Sequence, residues 1–217
     1  LFRSALRTDA RPLAKADLIC PVDGAVSQLG RIEGELIFQA KGHHYRIQDL
    51  LATDSAGAAV FNDGVFATLY LSPRDYHRIH MPCAANLHSM SHVPGQLFSV
   101  NPQTAAGVAG LYARNERLVC WFELPNQRPM VLVMVGATIV GSMATTWHGV
   151  VNPPRPAQVR HWTYDSGQHG FDQGVEMGRF LLGSTVILLW SRDTLTLVPE
   201  LQPGSRVRMG EALGRWA

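Results

Sequence analysis

The sequence predicts a mostly β fold with a few short helices, and three observations support this prediction. Short runs rich in Val, Ile, Leu, Thr and aromatic residues recur along the chain, and Gly, Pro, Asn and Asp separate them. Helical patterns are few. Hydrophobic residues make up 46% of the 217 residues and charged residues 17%, which is typical of a well-buried globular protein. We expect one compact domain over residues 1–217, a β-sandwich or flattened barrel.

Seven strands are predicted in chain order: "GAVSQLG", "GELIFQA", "VFATLYL", "RLVCWFEL", "MVLVMVGATIV", "STVILLW" and "TLTLVPEL". The link "PNQRP" predicts a hairpin, so the fourth and fifth strands should pair antiparallel. Two short helices are predicted, one at "RIQDLLA" and one that begins at "SPRD", where Ser72 can cap and Pro73 suits the first turn. The segment 152–172, rich in Pro and then in Gly, predicts a long surface loop.

Several classes of protein are disfavoured. The stretch 129–147 has no charged residue and is near the ~20 residues of a membrane-spanning helix, but its Val, Ile, Thr and Gly content favours two buried strands. A net charge of +2 without a basic stripe argues against nucleic-acid binding. Three widely spaced cysteines indicate neither a disulfide framework nor a thiolate site. With no HExxH or short HxH, we expect no metal.

Histidines and carboxylates supply candidates for proton transfer, and the residues alone leave their roles open. His77 and His80 lie in "SPRDYHRIHMP"; one could cap a turn while the other packs against Met81, or both could act in a site. Asp23, in "PVDG", would on its own be an ordinary Asp-Gly turn.

The dipeptide Gly183–Ser184, in "RFLLGSTVILLW", allows two interpretations. It could be a glycine turn before a buried strand. Alternatively, the glycine leaves its carbonyl uncrowded, so that the Ser184 hydroxyl can attack it and convert the amide to an ester. Removal of the Cα proton of Ser184 would then break the ester by β-elimination, and hydrolysis would leave a pyruvoyl group. Such a ketone forms a Schiff base with a substrate amine and accepts the electrons released when carbon dioxide leaves.

Two resemblances to known families follow from these motifs. The segments "CPVDGAVSQLG" and "GSRVRMGEALG" resemble the paired terminal strands of biotinyl and lipoyl carrier domains, which implies that the first and last strands meet. No lysine lies in a hairpin of the kind that those carriers modify. Seven ordered blocks cover nearly the whole chain and resemble phosphatidylserine decarboxylase of the bacterial type: "PVDGAVSQLG", "QAKGHHY", "LSPRDYHRIHMP", "LFSVN", "ARNER", "VGATIVGS" and "EMGRF" with "LGST".

The second resemblance implies a proenzyme that cuts itself between Gly183 and Ser184. It would give a β chain, residues 1–183, and an α chain, residues 184–217, that stay folded together around the pyruvoyl group. The family's triad maps onto Asp23, His80 and Ser184, with His80, oriented by Asp23, taking the serine proton. His77 would act in the mature enzyme, aiding decarboxylation or returning a proton to the substrate.

The resemblance also implies partners and a location. The substrate would be phosphatidylserine, the products phosphatidylethanolamine and carbon dioxide, and the enzyme would attach peripherally to the cytoplasmic face of the cell membrane, although the family's anchoring segment is not expected in these residues. A homodimer is left open. The alternatives are a pyruvoyl decarboxylase of a soluble amino acid, a non-catalytic lipoyl-like carrier module and a zinc hydrolase on a β scaffold.

Overall fold

The computed structural model describes residues 6–7, 9–138, 142–153, 155–180 and 184–217. The strands are β1 (Leu18–Ile19), β2 (Gly24–Arg31), β3 (Leu36–Ala40), β4 (His43–Arg46), β5 (Val65–Leu71), β6 (Arg78–His80), β7 (Ala85–Val93), β8 (Arg117–Glu123), β9 (Pro129–Val135), β10 (Met143–Thr145), β11 (Gly149–Val150), β12 (Arg160–Thr163), β13 (Gly170–Phe171), β14 (Glu176–Phe180), β15 (Ser184–Trp190), β16 (Leu195–Leu197), β17 (Arg206–Val207) and β18 (Ala212–Trp216). The helices are α1 (Ile47–Leu51), α2 (Ser55–Ala59), α3 (Pro102–Gly107) and α4 (Leu111–Arg114). The predicted mostly β class is therefore confirmed.

A nine-stranded sheet organises the chain. Its order is β12-β7-β8-β9-β15-β5-β2-β17, and β13 pairs with β7. The predicted hairpin is confirmed, because β8 and β9 pair antiparallel from Arg117 opposite Val135 to Glu123 opposite Pro129. The uncharged segment 129–147 forms β9 and β10, as the β-branched pattern predicted. Among the described residues, no helix has both the length and the apolar character needed to cross a membrane.

Strand β15 is buried on both faces, which explains why its sequence is an unbroken apolar run. Alternate side chains enter two different cores. Val186, Leu188 and Trp190 pack in one core, here called the first core, together with residues of β6 and β14. Ile187 and Leu189 pack in a second core on the other face of the sheet.

The two ends of the chain meet in space, as the carrier-like segments predicted. Strand β1 pairs with β18, and β2 pairs with β17 through Arg206 opposite Ala25 and Val207 opposite Gly24. The flattened barrel, however, is wrong: the sheets of the described chain remain open. The reason is that β1 and β17 are each only two residues long, so their pairings join the chain ends without linking the sheets into one closed ladder.

Two local predictions are wrong. "SPRD" forms a turn rather than a helix, because the Asp75 carboxylate accepts the backbone N–H of Ser72 at 2.7 Å and the chain then enters β6. The predicted loop 152–172 contains two short strands, β12 and β13, because the exposed edge of β7 offers backbone groups with which they pair.

Candidate active site

Strand pairing brings three sequence-predicted segments to one edge of the large sheet. Strand β5 lies between β2 and β15, and Tyr70 is paired with both Ala25 and Thr185. One residue further, Leu71 is paired with Ser184, while Gly24 follows Asp23 on the other side. Adjacent strands lie about 4.8 Å apart, so Gly24 and Ser184 are separated by about 10 Å. The segment that carries His77 and His80 leaves the end of β5 at this same edge.

Ser184 is the first residue of β15 and is fully buried. By strand alternation its side chain is on the face of Val186, which belongs to the first core together with Ile79, Met81 and Phe180. The hydroxyl Oγ has no hydrogen-bond partner among the described residues. A buried hydroxyl without a partner is energetically unfavourable, and such groups are frequent at reactive positions. Gly183, the other half of the predicted cleavage site, lies outside the described residues.

His80 ends β6 and is held by both ring nitrogens. Nδ1 lies 2.7 Å from the carbonyl oxygen of Gly174, which can only accept, so Nδ1 carries the proton. Nε2 lies 2.9 Å from the Tyr76 hydroxyl and accepts a hydrogen bond from it. Burial lowers the pKa of His80, against the opposing effects of the Gly174 carbonyl and of the charges of Glu176 and Asp23. The ring is therefore neutral near pH 7, with its basic lone pair on Nε2.

His77 lies beside the strand that leads to the predicted cleavage site. Its backbone carbonyl accepts the N–H of Phe180 at 3.0 Å, and Ser184 follows Phe180 by four residues. Nδ1 donates to the backbone carbonyl of Asp75, which assigns the proton to that nitrogen. Burial lowers the pKa of His77, and its contacts with Asp75 oppose this effect.

Asp23 is buried immediately before β2, and its carboxylate contacts groups other than His80. Its Oδ1 accepts the backbone N–H of Met209 at 2.9 Å and Nε–H of Arg11 at 2.9 Å, and its Oδ2 pairs with the Arg11 guanidinium. The ring nitrogens of His80 contact the Gly174 carbonyl and the Tyr76 hydroxyl. Asp23 acts on His80 at longer range, where its negative charge raises the histidine pKa.

Three further residues of the site were not found from the sequence. Tyr76 contacts His80, and burial raises its own pKa to about 12. Its position beside His77 in "PRDYHRIH" was a usable signal. Gly174 and Arg11 gave none, because they are 94 and 12 residues distant from the groups that they contact.

The donor set does not suggest a metal centre. In the part of the chain that the structure describes, no group of three or more His, Cys, Asp or Glu side chains is arranged to hold a metal ion. The only predicted source of a cofactor is Ser184 itself, whose buried, unpartnered Oγ is suited to chemistry on its own backbone.

Comparison with known proteins assigns the class first: the chain is a decarboxylase, a carbon–carbon lyase. The sequence profile described as phosphatidylserine decarboxylase matches residues 1–215, and the chain belongs to this family. A phosphatidylserine decarboxylase proenzyme of Albidiferax ferrireducens is 63% identical over 214 residues, which span 99% of this chain and 75% of the relative. The proenzyme of a Polaromonas species is 61% identical over 219 residues, 100% of this chain and 77% of the relative. That of an Azoarcus species is 62% identical over 213 residues, 98% and 74% of the two chains.

Proposed function

We propose that this chain is a proenzyme which cuts its own Gly183–Ser184 bond, converts Ser184 to a pyruvoyl group and then decarboxylates phosphatidylserine to phosphatidylethanolamine. The names of its relatives support the substrate and the processing. The observation that carries the chemistry is the buried, unpartnered Ser184 hydroxyl at the start of β15, on the sheet face whose core also contains Ile79 of β6.

In the first step, Ser184 Oγ attacks the carbonyl carbon of Gly183 while His80 Nε2 takes the hydroxyl proton. The Oγ–C bond forms and the C–N bond breaks as the protonated His80 gives that proton to the leaving nitrogen, so residue 184 gains a free amine and becomes esterified to Gly183. The neutral tautomer of His80 supports this role, since its basic lone pair is on Nε2. The Tyr76 hydroxyl, which donates to Nε2, must release that lone pair or relay the proton.

In the second step, a base removes the Cα proton of residue 184 and the Cβ–Oγ bond breaks. The β chain then ends in a Gly183 carboxylate, and the α chain begins with dehydroalanine. Water adds to the imine tautomer of this residue and ammonia leaves, which produces the pyruvoyl group. The α chain would remain attached, because β15 lies inside the large sheet and β17 and β18 pair with the start of the chain.

The pyruvoyl ketone would engage the substrate amine and accept the electron pair released when carbon dioxide leaves. The chain's own contribution is to exclude water and to transfer protons. His77 lies beside the segment that leads to Ser184, and its protonated Nδ1 donates a hydrogen bond to the Asp75 carbonyl. We assign to His77 the return of a proton to the substrate Cα. A lipid substrate implies peripheral attachment to the cytoplasmic face of the membrane, which we include in the proposal.

An intact-mass spectrum under denaturing conditions tests processing directly. We expect two fragments divided after Gly183, the smaller lighter by the mass of ammonia than one with an amino-terminal serine and reactive toward a hydrazide. Ser184→Ala should remain uncut. Thr185→Val is the matched control, because Thr185 is an equally buried neighbour whose hydroxyl also lacks a partner among the described residues, and this variant should be cut normally.

The same preparation distinguishes the competing functions. An uncut chain that still decarboxylates phosphatidylserine would overturn the mechanism. A cut chain that acts on free serine but not on the lipid would identify a soluble amino acid as substrate. An uncut chain without activity in any preparation would favour a carrier module.

A further inference from the structure

A charged cleft of about 760 Å³ opens beside the histidines. Arginine and carboxylate side chains dominate its wall: Arg11, Arg74, Arg206, Arg208, Asp23, Asp75 and Glu211. With these side chains in their usual charge states, four positive charges face three negative ones, so the cleft is suited to an anionic ligand.

The cleft is directly adjacent to the proposed proton-transfer groups. Tyr76 lines the cleft, and its hydroxyl lies 2.9 Å from Nε2 of His80. Asp75 also lines it, and its backbone carbonyl accepts Nδ1–H of His77. A ligand in the cleft would therefore contact Tyr76 and Asp75, each of which is hydrogen-bonded to one of the two histidines.

The four arginines fall into two pairs. Arg11 and Arg206 are held by Asp23 and Asp75, with Arg206 Nη2 2.7 Å from the Asp75 carboxylate. The Asp75 side chain is 8% exposed and the Arg206 side chain 68% exposed, so a buried carboxylate fixes an arginine at the surface of the cleft.

Arg74 and Arg208 differ from this pair. Both are exposed, and neither guanidinium has a carboxylate partner among the described residues. Their donors are therefore available to a ligand. A guanidinium group is well suited to phosphate oxygens because its planar donors match them two at a time.

We propose that Arg74 and Arg208 bind the phosphodiester of the substrate headgroup within this cleft. The inference rests on the proposed function and adds a specificity subsite to it. In phosphatidylserine the phosphodiester is only a few bonds from the carbon that loses its carboxylate, which matches a cleft that adjoins both histidines. Free serine has no phosphate, so these two arginines favour the lipid over the amino acid.

Kinetics on a short-chain phosphatidylserine below its critical micelle concentration test the subsite in the absence of a lipid surface. For Arg74→Ala with Arg208→Ala we expect KM to rise at least about 10- to 100-fold, with normal self-cleavage and little change in kcat, because the variant removes the charge-assisted hydrogen bonds of both guanidinium groups. The matched control is Arg31→Ala with Arg192→Ala. These arginines are exposed. Arg31 ends β2 and Arg192 lies two residues beyond the end of β15, at the strand ends opposite Gly24 and Ser184, so KM should be unchanged.

Binding to the uncut Ser184→Ala chain gives an assay that does not depend on catalysis. Calorimetry with glycerophosphoserine should show binding that the double arginine variant loses, while inorganic phosphate should bind more weakly. An unchanged KM, equal binding to both proteins, or a defect seen only on anionic vesicles would overturn the subsite; the vesicle result would instead assign the arginines to the membrane surface. Stronger binding of inorganic phosphate would also contradict a headgroup subsite. Failure of self-cleavage in the wild-type chain would overturn the proposed function. The binding assay on the Ser184→Ala chain would still test the subsite, because it does not require cleavage.

Discussion

The carbonyl oxygen of Gly174 lies 2.7 Å from Nδ1 of His80, although the two residues are 94 positions apart. This contact fixes the histidine tautomer, because a carbonyl accepts and Nδ1 must donate. It places the basic nitrogen, Nε2, toward the Tyr76 hydroxyl. In the familiar triad a carboxylate has this orienting role, whereas here a backbone carbonyl has it and Asp23 contributes only its charge.

His77 and His80 should both titrate below the usual histidine pKa of about 6.5, because burial is the largest effect on each and disfavours the charged ring. The direction also determines a stability effect. A lowered folded-state pKa means that, in the acidic range, the folded chain binds fewer protons than the unfolded chain. The contribution of the two neutral histidines to the free energy of unfolding is therefore complete above about pH 6.5, and it is lost as the pH falls through the folded-state pKa values.

NMR titration of histidine ring signals in the uncut Ser184→Ala chain measures these values, with His77→Gln and His80→Gln spectra to assign the signals. The exposed His44 provides a control whose signal comes from outside the site. Midpoints at or above 6.5 for both His77 and His80 would contradict the burial argument.

Substitution of His80 and of His77 should affect two different steps, self-cleavage and decarboxylation. His80→Gln removes the proposed base for Ser184, so we expect self-cleavage to slow by about 10²- to 10⁴-fold, the usual range for proton-transfer catalysis. His77→Gln should still be cut, with kcat for decarboxylation reduced by a similar factor and KM little changed. Intact mass and carbon dioxide release measure the two steps. Normal cleavage in His80→Gln together with blocked cleavage in His77→Gln would reverse the assignment.

The strands that were predicted best are those whose burial alone determines them. β5, β8, β9 and β15 are apolar runs bounded by turn residues, and the structure buries nearly all of their residues. β7 was missed because polar residues occupy buried positions in it. One of these, His92, is fully buried against Glu116, with Nε2 and Oε1 2.9 Å apart. Its partner lies on another segment, so local periodicity cannot indicate that the position is buried.

The candidate site was predictable to the extent that it depends on short motifs. "SPRDYHRIHMP" and "LGST" predicted His77, His80 and Ser184, and the structure pairs Ser184 with Leu71, which ends β5 directly before the segment that carries both histidines. The orienting contacts were not predictable. The Gly174 carbonyl and the Arg11 guanidinium reach the site through tertiary packing, and any residue type can supply a backbone carbonyl.

The three cysteines should be inert in the folded protein. All are free and buried, and burial raises the pKa of Cys20 and Cys83 to about 12 and that of Cys120 still further. Because the thiolate is the reactive form, we expect reaction with a thiol reagent at pH 8 to be about 10³-fold slower than for a free thiol. Titration should find no fast-reacting thiol in the native chain and three after denaturation. A fast thiol in the native chain would contradict this burial.

Gly24→Ala should destabilise the chain beside the site. An added Cβ would lie 2.3 Å from the Tyr70 carbonyl oxygen on the neighbouring strand β5, so the backbone must move. We expect a loss of about 1–3 kcal/mol in the free energy of unfolding, as for other overpacked positions. Denaturant unfolding of the uncut Ser184→Ala background measures the loss without the complication of two chains.

The matched control is Gly107→Ala at the end of α3, where an added Cβ meets nothing within 4 Å. Its stability should be unchanged or higher by less than about 1 kcal/mol, because alanine restricts the unfolded chain. In the cleavable background, Gly24→Ala should also slow processing, since movement of Gly24 displaces Asp23 from the Met209 N–H. Equal stability of the two alanine variants would show that β2 and β5 do not approach as closely as the structure has them, and the separation of about 10 Å between Gly24 and Ser184 would then no longer hold.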